Sequence, residues 1–480
     1  MQTNKRTATT TVDATECSRQ PLLFPELISR PVKVDFQAGF VSSDGGGLLL
    51  ARLDRGLGHL RRFSRCFTDH RDPECIEHTV EELLRQRVYG LALGYEDLND
   101  HEQLKHDPLL AAMCGKRDPL GRDRVRVQDQ GKALAGKSTL NRLELTPANA
   151  CPSHRYKKIV AEEGLIEDWF IAEYVRSLKR GRTQPIVLDL DATDDPLHGH
   201  QEGRFFHGYY GHYCYLPLYI FAGHWPVWAQ LRPANIDASA GAREAVEKIV
   251  RAIRQKLPQV KIVLRADSGF CRDELMSWCE ENGVDYLFGI ARNAVLEREL
   301  ESSLEAARQQ AEVSETKSAR VFHQFHYKAK KWAGAKRRVI GKAEWTAQGR
   351  NPRFIITSLA GEARRLYERD YCARGEMENR IKEQQQDLFA DRTSTAGMRS
   401  NQLRLWFATL AYLLLHRLRQ IGLKDTGLAR ASCGSIRLKL LKIGALVRVS
   451  VRRVQVSLSS AYPLQGLFGH VARRVAFGSG

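Results

Sequence analysis

Three acidic side chains stand where a metal-dependent hydrolytic site would need them. Asp191 closes the run Ile186-Val187-Leu188-Asp189-Leu190-Asp191. Asp267 closes Val263-Leu264-Arg265-Ala266-Asp267, just before Ser268-Gly269-Phe270. Glu378 lies within Tyr371-Cys372-Ala373-Arg374-Gly375-Glu376-Met377-Glu378. Carboxylates from separate segments can converge to hold two hard divalent ions, Mg2+ or Mn2+, and two such ions drive displacement at a phosphodiester. On a strand, residues i and i+2 share a face. Asp189 and Asp191 therefore point the same way, and either can be the first ligand; Asp191 is favoured because its strand ends at Ala192-Thr193. On a helix, Tyr371, Arg374, Glu378, Lys382 and Gln385 fall within an arc of about 80°, with Glu376 and Arg380 on the far side. That face sets a carboxylate among two cations and a phenol, and Arg374 and Lys382 there are suited to hold DNA phosphates. The plain alternative is a surface helix laced by Arg374–Glu378–Lys382 pairs at i,i+4 spacing.

The charge of the whole chain agrees with a polyanionic partner. Its 480 residues carry 74 Lys and Arg against 56 Asp and Glu, a net charge of +18, which favours nucleic acid. The excess is uneven. Asp425 is the only acid between Gly397 and Gly480, and Lys328, Lys330, Lys331, Lys336, Arg337, Arg338 and Lys342 cluster around Trp332. A hydrophobic fraction of 43% excludes a disordered chain. The longest apolar run, Leu405 to Leu415, is flanked by arginines and reads as a buried helix, so no membrane span is expected. The N-terminal Met1-Gln2-Thr3-Asn4-Lys5-Arg6 lacks an apolar signal core, and the expected compartment is cytoplasmic. Ten cysteines without a CxxC pair read as free thiols.

The elements that must position the carboxylates follow from periodicity. Residues 1–175 read as a mainly helical N-terminal DNA-binding region, with a helix over Thr79–Leu93 and another capped by Ser138 or Thr139. Gly45-Gly46-Gly47 marks a turn or a close approach of two backbones. Residues 176–293 give strands at Ile186–Leu190, Tyr213–Phe221 and Val227–Leu231, a helix over Ala242–Leu257, a strand at Val260–Leu264, a helix over Arg272–Asn282 and a strand at Tyr286–Ile290. Three early strands followed by alternating α and β is the ribonuclease H-like order, an α/β mixed sheet with helices on its faces. Residues 294–362 read as a β-rich insertion after a charged helix. Residues 363–423 return to helix and carry Glu378. Residues 424–480 form a basic, partly strand-like C-terminal extension.

These segments resemble the DDE transposases of bacterial insertion sequences. The class is the one with a Tyr-x2-Arg-x3-Glu-x6-Lys signature, and the match is to the insertion-sequence family numbered thirteen-eighty. The resemblance rests on Leu188-Asp189-Leu190-Asp191-Ala192-Thr193-Asp194-Asp195-Pro196, His200 to Gly203, Gly208-Tyr209-Tyr210-Gly211, Tyr213 to Tyr219, Arg265 to Phe270, Asn351 to Phe354 and Glu378 to Glu383. It implies that Asp191, Asp267 and Glu378 form the catalytic, metal-binding triad with two Mg2+ (or Mn2+) ions. It implies DNA contacts by Tyr371 and Arg374. The signature lysine falls at Gln385, a departure, and Lys382 on the same face is the candidate substitute. The implied partners are double-stranded DNA, as terminal inverted repeats and target, and a second copy of the chain on paired ends, near the bacterial nucleoid. The rival reading is a DNA-binding protein derived from a transposase that no longer cuts.

Three further motifs read as decoys. Gly131-Lys132-Ala133-Leu134-Ala135-Gly136-Lys137-Ser138 fits GxxxxGK[ST], but the preceding Arg122 to Gln130 is too polar for a buried strand. His198, His200, His207 and His212 crowd one segment without zinc-ligand spacing. Trp332 reads as a packed core side chain before a base-stacking one.

Overall fold

In the computed structural model, residues 22–24, 28, 30, 32–334 and 336–477 are described. Met1 to Arg6, where no signal core is expected, lies outside them. At the centre is a nine-stranded sheet. Its first five long strands are β1 (Ile186–Ala192), β2 (Leu218–Ala222), β3 (Trp225–Gln230), β4 (Ile262–Ala266) and β5 (Asp285–Ile290). They lie in the order β3-β2-β1-β4-β5. β2 runs antiparallel to β1 and β3, while β1, β4 and β5 are mutually parallel. This is the expected ribonuclease H-like arrangement, with the C-terminal ends of β1 and β4 side by side.

The segment 294–362 contains β6 (Ala319–Tyr327), β7 (Arg337–Thr346) and β8 (Arg353–Thr357). These strands are hydrogen-bonded into the same sheet: β8 pairs with β5, β7 with β8, and β6 with β7, all antiparallel. The helix Ala294–Val313 packs on β6 and β7 through Leu296, Leu300 and Leu304. The β-rich segment thus widens one sheet.

The expected strand Tyr213–Phe221 is in fact two. His212–Tyr215 pairs with Phe205–His207 and with Asp195–Pro196 in a separate three-stranded sheet, and β2 begins only at Leu218. Pro217 lies in the gap; without an N–H it cannot continue the ladder.

The helix Met398–Ile421 is buried along most of its length and on all sides. It lies between β3 and the N-terminal helix Val80–Leu93, which is why its apolar run shows no polar face. The Gln402 side chain accepts from Leu231 N–H at 2.5 Å and donates to the Ala229 carbonyl at 3.2 Å, covering the β3 edge. Glu144, fully buried, joins Arg87 and Arg404 at 2.7 Å each and ties the N-terminal region to this helix. The N- and C-terminal parts also meet directly. Phe40–Ser42 pairs with Ala445–Val449, which pairs with Val454–Leu458. Gly46 is a close-approach site, since a Cβ there would lie 1.9 Å from the Leu440 carbonyl oxygen. None of the described helices is long and apolar enough to cross a membrane, and every described cysteine is a free thiol.

Candidate active site

Asp191, Asp267 and Glu378 line one cleft of about 490 Å³. β1 delivers Asp191 near its C-terminal end. Asp267 follows β4 directly and caps a short turn by accepting from Gly269 N–H at 2.9 Å. Glu378 comes from the helix Gly375–Lys382 across the cleft. Arg374, Lys382 and Gln385, three of the residues on the arc of about 80°, line the same cleft from that helical segment, and Ile381 lies beside them.

The segment is continuous but not uniformly α. Ala363–Arg365 and Gly375–Lys382 are α, Leu366–Tyr371 and Glu383–Asp387 are π-helical, and Cys372–Arg374 is 3-10. Such interruptions collect at functional sites. Tyr371 is turned from the main cleft into an adjoining one, bounded by Asp267, Ser268, Gly289 and Arg353. There it presses on the β5 backbone. A Cβ on Gly289 would lie 2.6 Å from Tyr371 Oη and 3.0 Å from Ser268 N.

Arg374 bridges the carboxylates. Its guanidinium is 2.7 Å from Glu378 Oε1 and 3.7 Å from Asp191 Oδ1. Burial pushes the Asp191 carboxyl up to about 6. Arg374 opposes that rise, and Asp267 and Glu378 add to it. Among the described residues no group of three His, Cys, Asp or Glu side chains is close enough to hold a metal. The all-oxygen donor set nevertheless suits a hard divalent cation. The raised Asp191 reflects its burial first, with Asp267 and Glu378 as smaller contributions that the Arg374 guanidinium opposes.

Asp189 and Asp191 share a face, but Arg265 separates their roles. Arg265 is the register partner of Asp189 on β4. It grips Asp189 at 2.5 and 2.8 Å and also donates to the Asp370 carbonyl. Burial raises the Asp189 carboxyl against the pull of Arg265. A carboxylate with both oxygens engaged is poorly placed to take a second cation. Lys382 is exposed at the cleft and makes no ion pair among the described residues. Gln385 donates to the Asp194 carbonyl at 3.1 Å.

The residues missed by sequence reasoning are His207, Tyr209 and Tyr210, which close the cleft from the hairpin that follows β1. Their signal was the Gly208-Tyr209-Tyr210-Gly211 motif. The other motifs resolve simply. In the GxxxxGK segment, Glu102 accepts from Lys137 N–H at 2.7 Å and Gln86 from Ala135 N–H at 3.0 Å. A carboxylate thus sits where a phosphate would. His212 pairs with Asp194 at 2.8 Å. Trp332 packs edge-on to Tyr327 beneath Arg337. A larger cleft, about 760 Å³, opens at the other end of β1 beside Arg182 and Arg417, away from the three carboxylates.

A ribonuclease H-like sheet bearing acidic groups at the ends of its first and fourth strands and on a later helix defines the class of DDE nucleotidyl-transfer domains. The family model described as "Transposase DDE domain group 1" matches residues 24–477, and the chain belongs to that family. Members generally use divalent metal ions. Among solved structures, the chain is similar to the piggyBac transposase in a synaptic complex with hairpin DNA, with 12% identity, coverage of 82% of this chain and 79% of that one, and a TM-score of 0.37. No curated protein matches significantly.

Proposed function

We propose that this protein cuts and joins DNA at the ends of a bacterial insertion sequence, with Asp191, Asp267 and Glu378 as the ligands of two Mg2+ or Mn2+ ions. The convergence of these three side chains in one cleft, with Arg374 between two of them, carries the reading. When bound, such ions supply an activated nucleophile and neutralise the leaving oxygen in an in-line displacement. The protein's own groups do the rest. Arg374 leaves Glu378 to hold a non-bridging phosphate oxygen, Lys382 at the cleft rim takes a neighbouring phosphate, and Tyr371 braces the loop that carries Asp267. The first step nicks DNA at the element's end; the second joins that 3′-hydroxyl to target DNA. The substrates are terminal inverted repeats and target duplex, and paired ends call for two copies of the chain.

The test is Mg2+-dependent nicking of a duplex carrying the inverted repeats that flank the gene. Asp267→Asn should abolish nicking and leave duplex binding within about threefold, because it removes a ligand and no phosphate clamp. Full strand transfer by this variant would overturn the assignment. Gln385, standing where the signature has lysine and tied to a backbone carbonyl, favours a second reading, a DNA-binding protein that no longer cuts. Binding by the unaltered chain without any metal-dependent nicking would select it.

A further inference from the structure

One hairpin beside the carboxylate cleft carries four exposed aromatic rings. Phe205–His207 and His212–Tyr215 pair antiparallel, with His207 opposite His212. The tip between them is Gly208-Tyr209-Tyr210-Gly211. It is closed by Gly211, which has φ of +74° and whose N–H bonds the His207 carbonyl at 2.8 Å. Tyr209 is 87% exposed, Phe206 57%, Tyr213 44% and Phe205 41%. Turn tips ordinarily carry Gly, Asn, Asp or Ser, and clustered aromatic surface left in water marks a binding site.

The hairpin is held in place against the cleft. Tyr210 Oη donates to the Ala192 carbonyl at 3.4 Å, and His212 meets Asp194 at 2.8 Å. Both anchors lie just after Asp191, so the tip is positioned by the segment that positions that carboxylate. Tyr209 stands edge-on to Tyr210, centroids 5.0 Å apart, and Phe206 edge-on to Tyr213 at 5.6 Å. Arg204 lies over the Tyr213 ring at 3.9 Å. From Gly203 to Tyr213 there is no acid, so a polyanion meets no repulsion from the hairpin itself. Trp332, the other aromatic weighed for stacking, is already covered by Arg337 and Tyr327.

We propose that this hairpin is a nucleobase-stacking site. Tyr209 takes the face of an unstacked base next to the phosphate at the carboxylates, with Phe206 extending the platform and Tyr213, covered by Arg204, buttressing it. The inference rests on the DNA-cutting reading of the cleft and assigns the positioning of a base to residues outside the carboxylate set.

The test uses the full chain in EDTA and two single-stranded probes of equal length and charge. One is an oligothymidylate; the other is the same sugar–phosphate backbone without bases. A base stacked on an aromatic ring is worth roughly tenfold or more in affinity. The unaltered protein should prefer the oligothymidylate by about that factor. Tyr209→Ala should remove most of the preference and Tyr209→Phe should keep it. The salt dependence of binding should stay the same in all three, because the phosphate contacts are untouched. Equal binding of both probes by the unaltered protein, or an undiminished preference in Tyr209→Ala, overturns the proposal. So does dissociation of a DNA-free dimer by Tyr209→Ala in sedimentation, which would make the patch a contact between copies. Failure of the DNA-cutting reading shows separately, as absence of metal-dependent nicking.

Discussion

Replacing Asp191 by asparagine should stabilise the fold while it abolishes cutting. Burial, with Asp267 and Glu378 nearby, lifts this carboxyl from 3.8 to about 6 despite Arg374. The difference, 6 − 3.8, is about 2.2 in pKa, and at 1.36 kcal/mol per unit it corresponds to about 3 kcal/mol. With only 15% of the side chain exposed, solvent screening removes little of this. The sign follows from proton linkage. The folded chain holds this proton more tightly than the unfolded chain, so the contribution is complete below pH 3.8 and is lost as pH rises through about 6. Above that, the ionised carboxylate is a cost that asparagine lacks, and Arg374 keeps Glu378 as its partner. Unfolding entropy scales to roughly 1 kcal/mol/K for a chain of this length, so Asp191→Asn should raise Tm by about 3 °C at pH 8. The gap should close between pH 6 and pH 4. Scanning calorimetry across that range measures it, and Mg2+ at pH 8 should raise the Tm of the unaltered protein only. A lower Tm for Asp191→Asn at pH 8, or a gap that ignores pH, would refute the reasoning.

Arg265→Ala should do the opposite, because it leaves Asp189 buried and unpaired. A loss of about 3–5 kcal/mol in urea unfolding is expected, largely recovered when Asp189→Leu is added. Gly289→Ala should push Tyr371 off the β5 backbone, costing about 1–3 kcal/mol by urea unfolding. It should also lower the nicking rate at saturating DNA; an unchanged rate would show that Tyr371 does not brace the Asp267 loop. Arg374→Ala should reduce the slope of log binding constant against log salt by about 0.9, the signature of one lost phosphate contact. An unchanged slope would place Arg374 off the DNA.

Much of this architecture is legible in the sequence because its signals are local. The strand-ending aspartates, the amphipathic helix Ala242–Lys256 and the spacing of Arg374, Glu378 and Lys382 each lie within one element, where period alone decides which side chains share a face. What was not legible depends on partners distant in the chain. Pro217 divides one apolar run into two strands that join different sheets. The cap of the helix Lys137–Glu144 is Gly136 rather than Ser138 or Thr139, because Glu102 and not a local hydroxyl takes the Lys137 N–H. The strands of residues 294–362 read correctly as strands, but their membership of the central sheet is set by pairing of β8 with β5, which no local pattern encodes.

The two aspartates of β1 show where local reading stops. Period 2 makes them equivalent, both facing the cleft side of one strand. The parallel register of β1 with β4 sets Arg265 opposite Asp189 and leaves Asp191 at the open end. The sheet thereby neutralises one carboxylate within its own layer and leaves the other buried without such a partner in the sheet, its carboxyl raised mainly by that burial. Arg374, from the far wall, then stands between Asp191 and Glu378, 3.7 Å from the one and 2.7 Å from the other. Asp189 is accordingly part of the scaffold that fixes β1 to β4, and in the proposed site Asp191 is the carboxylate left free to take a cation. An active site built this way should be the least stable part of its sheet at neutral pH, and the part most stabilised by Mg2+.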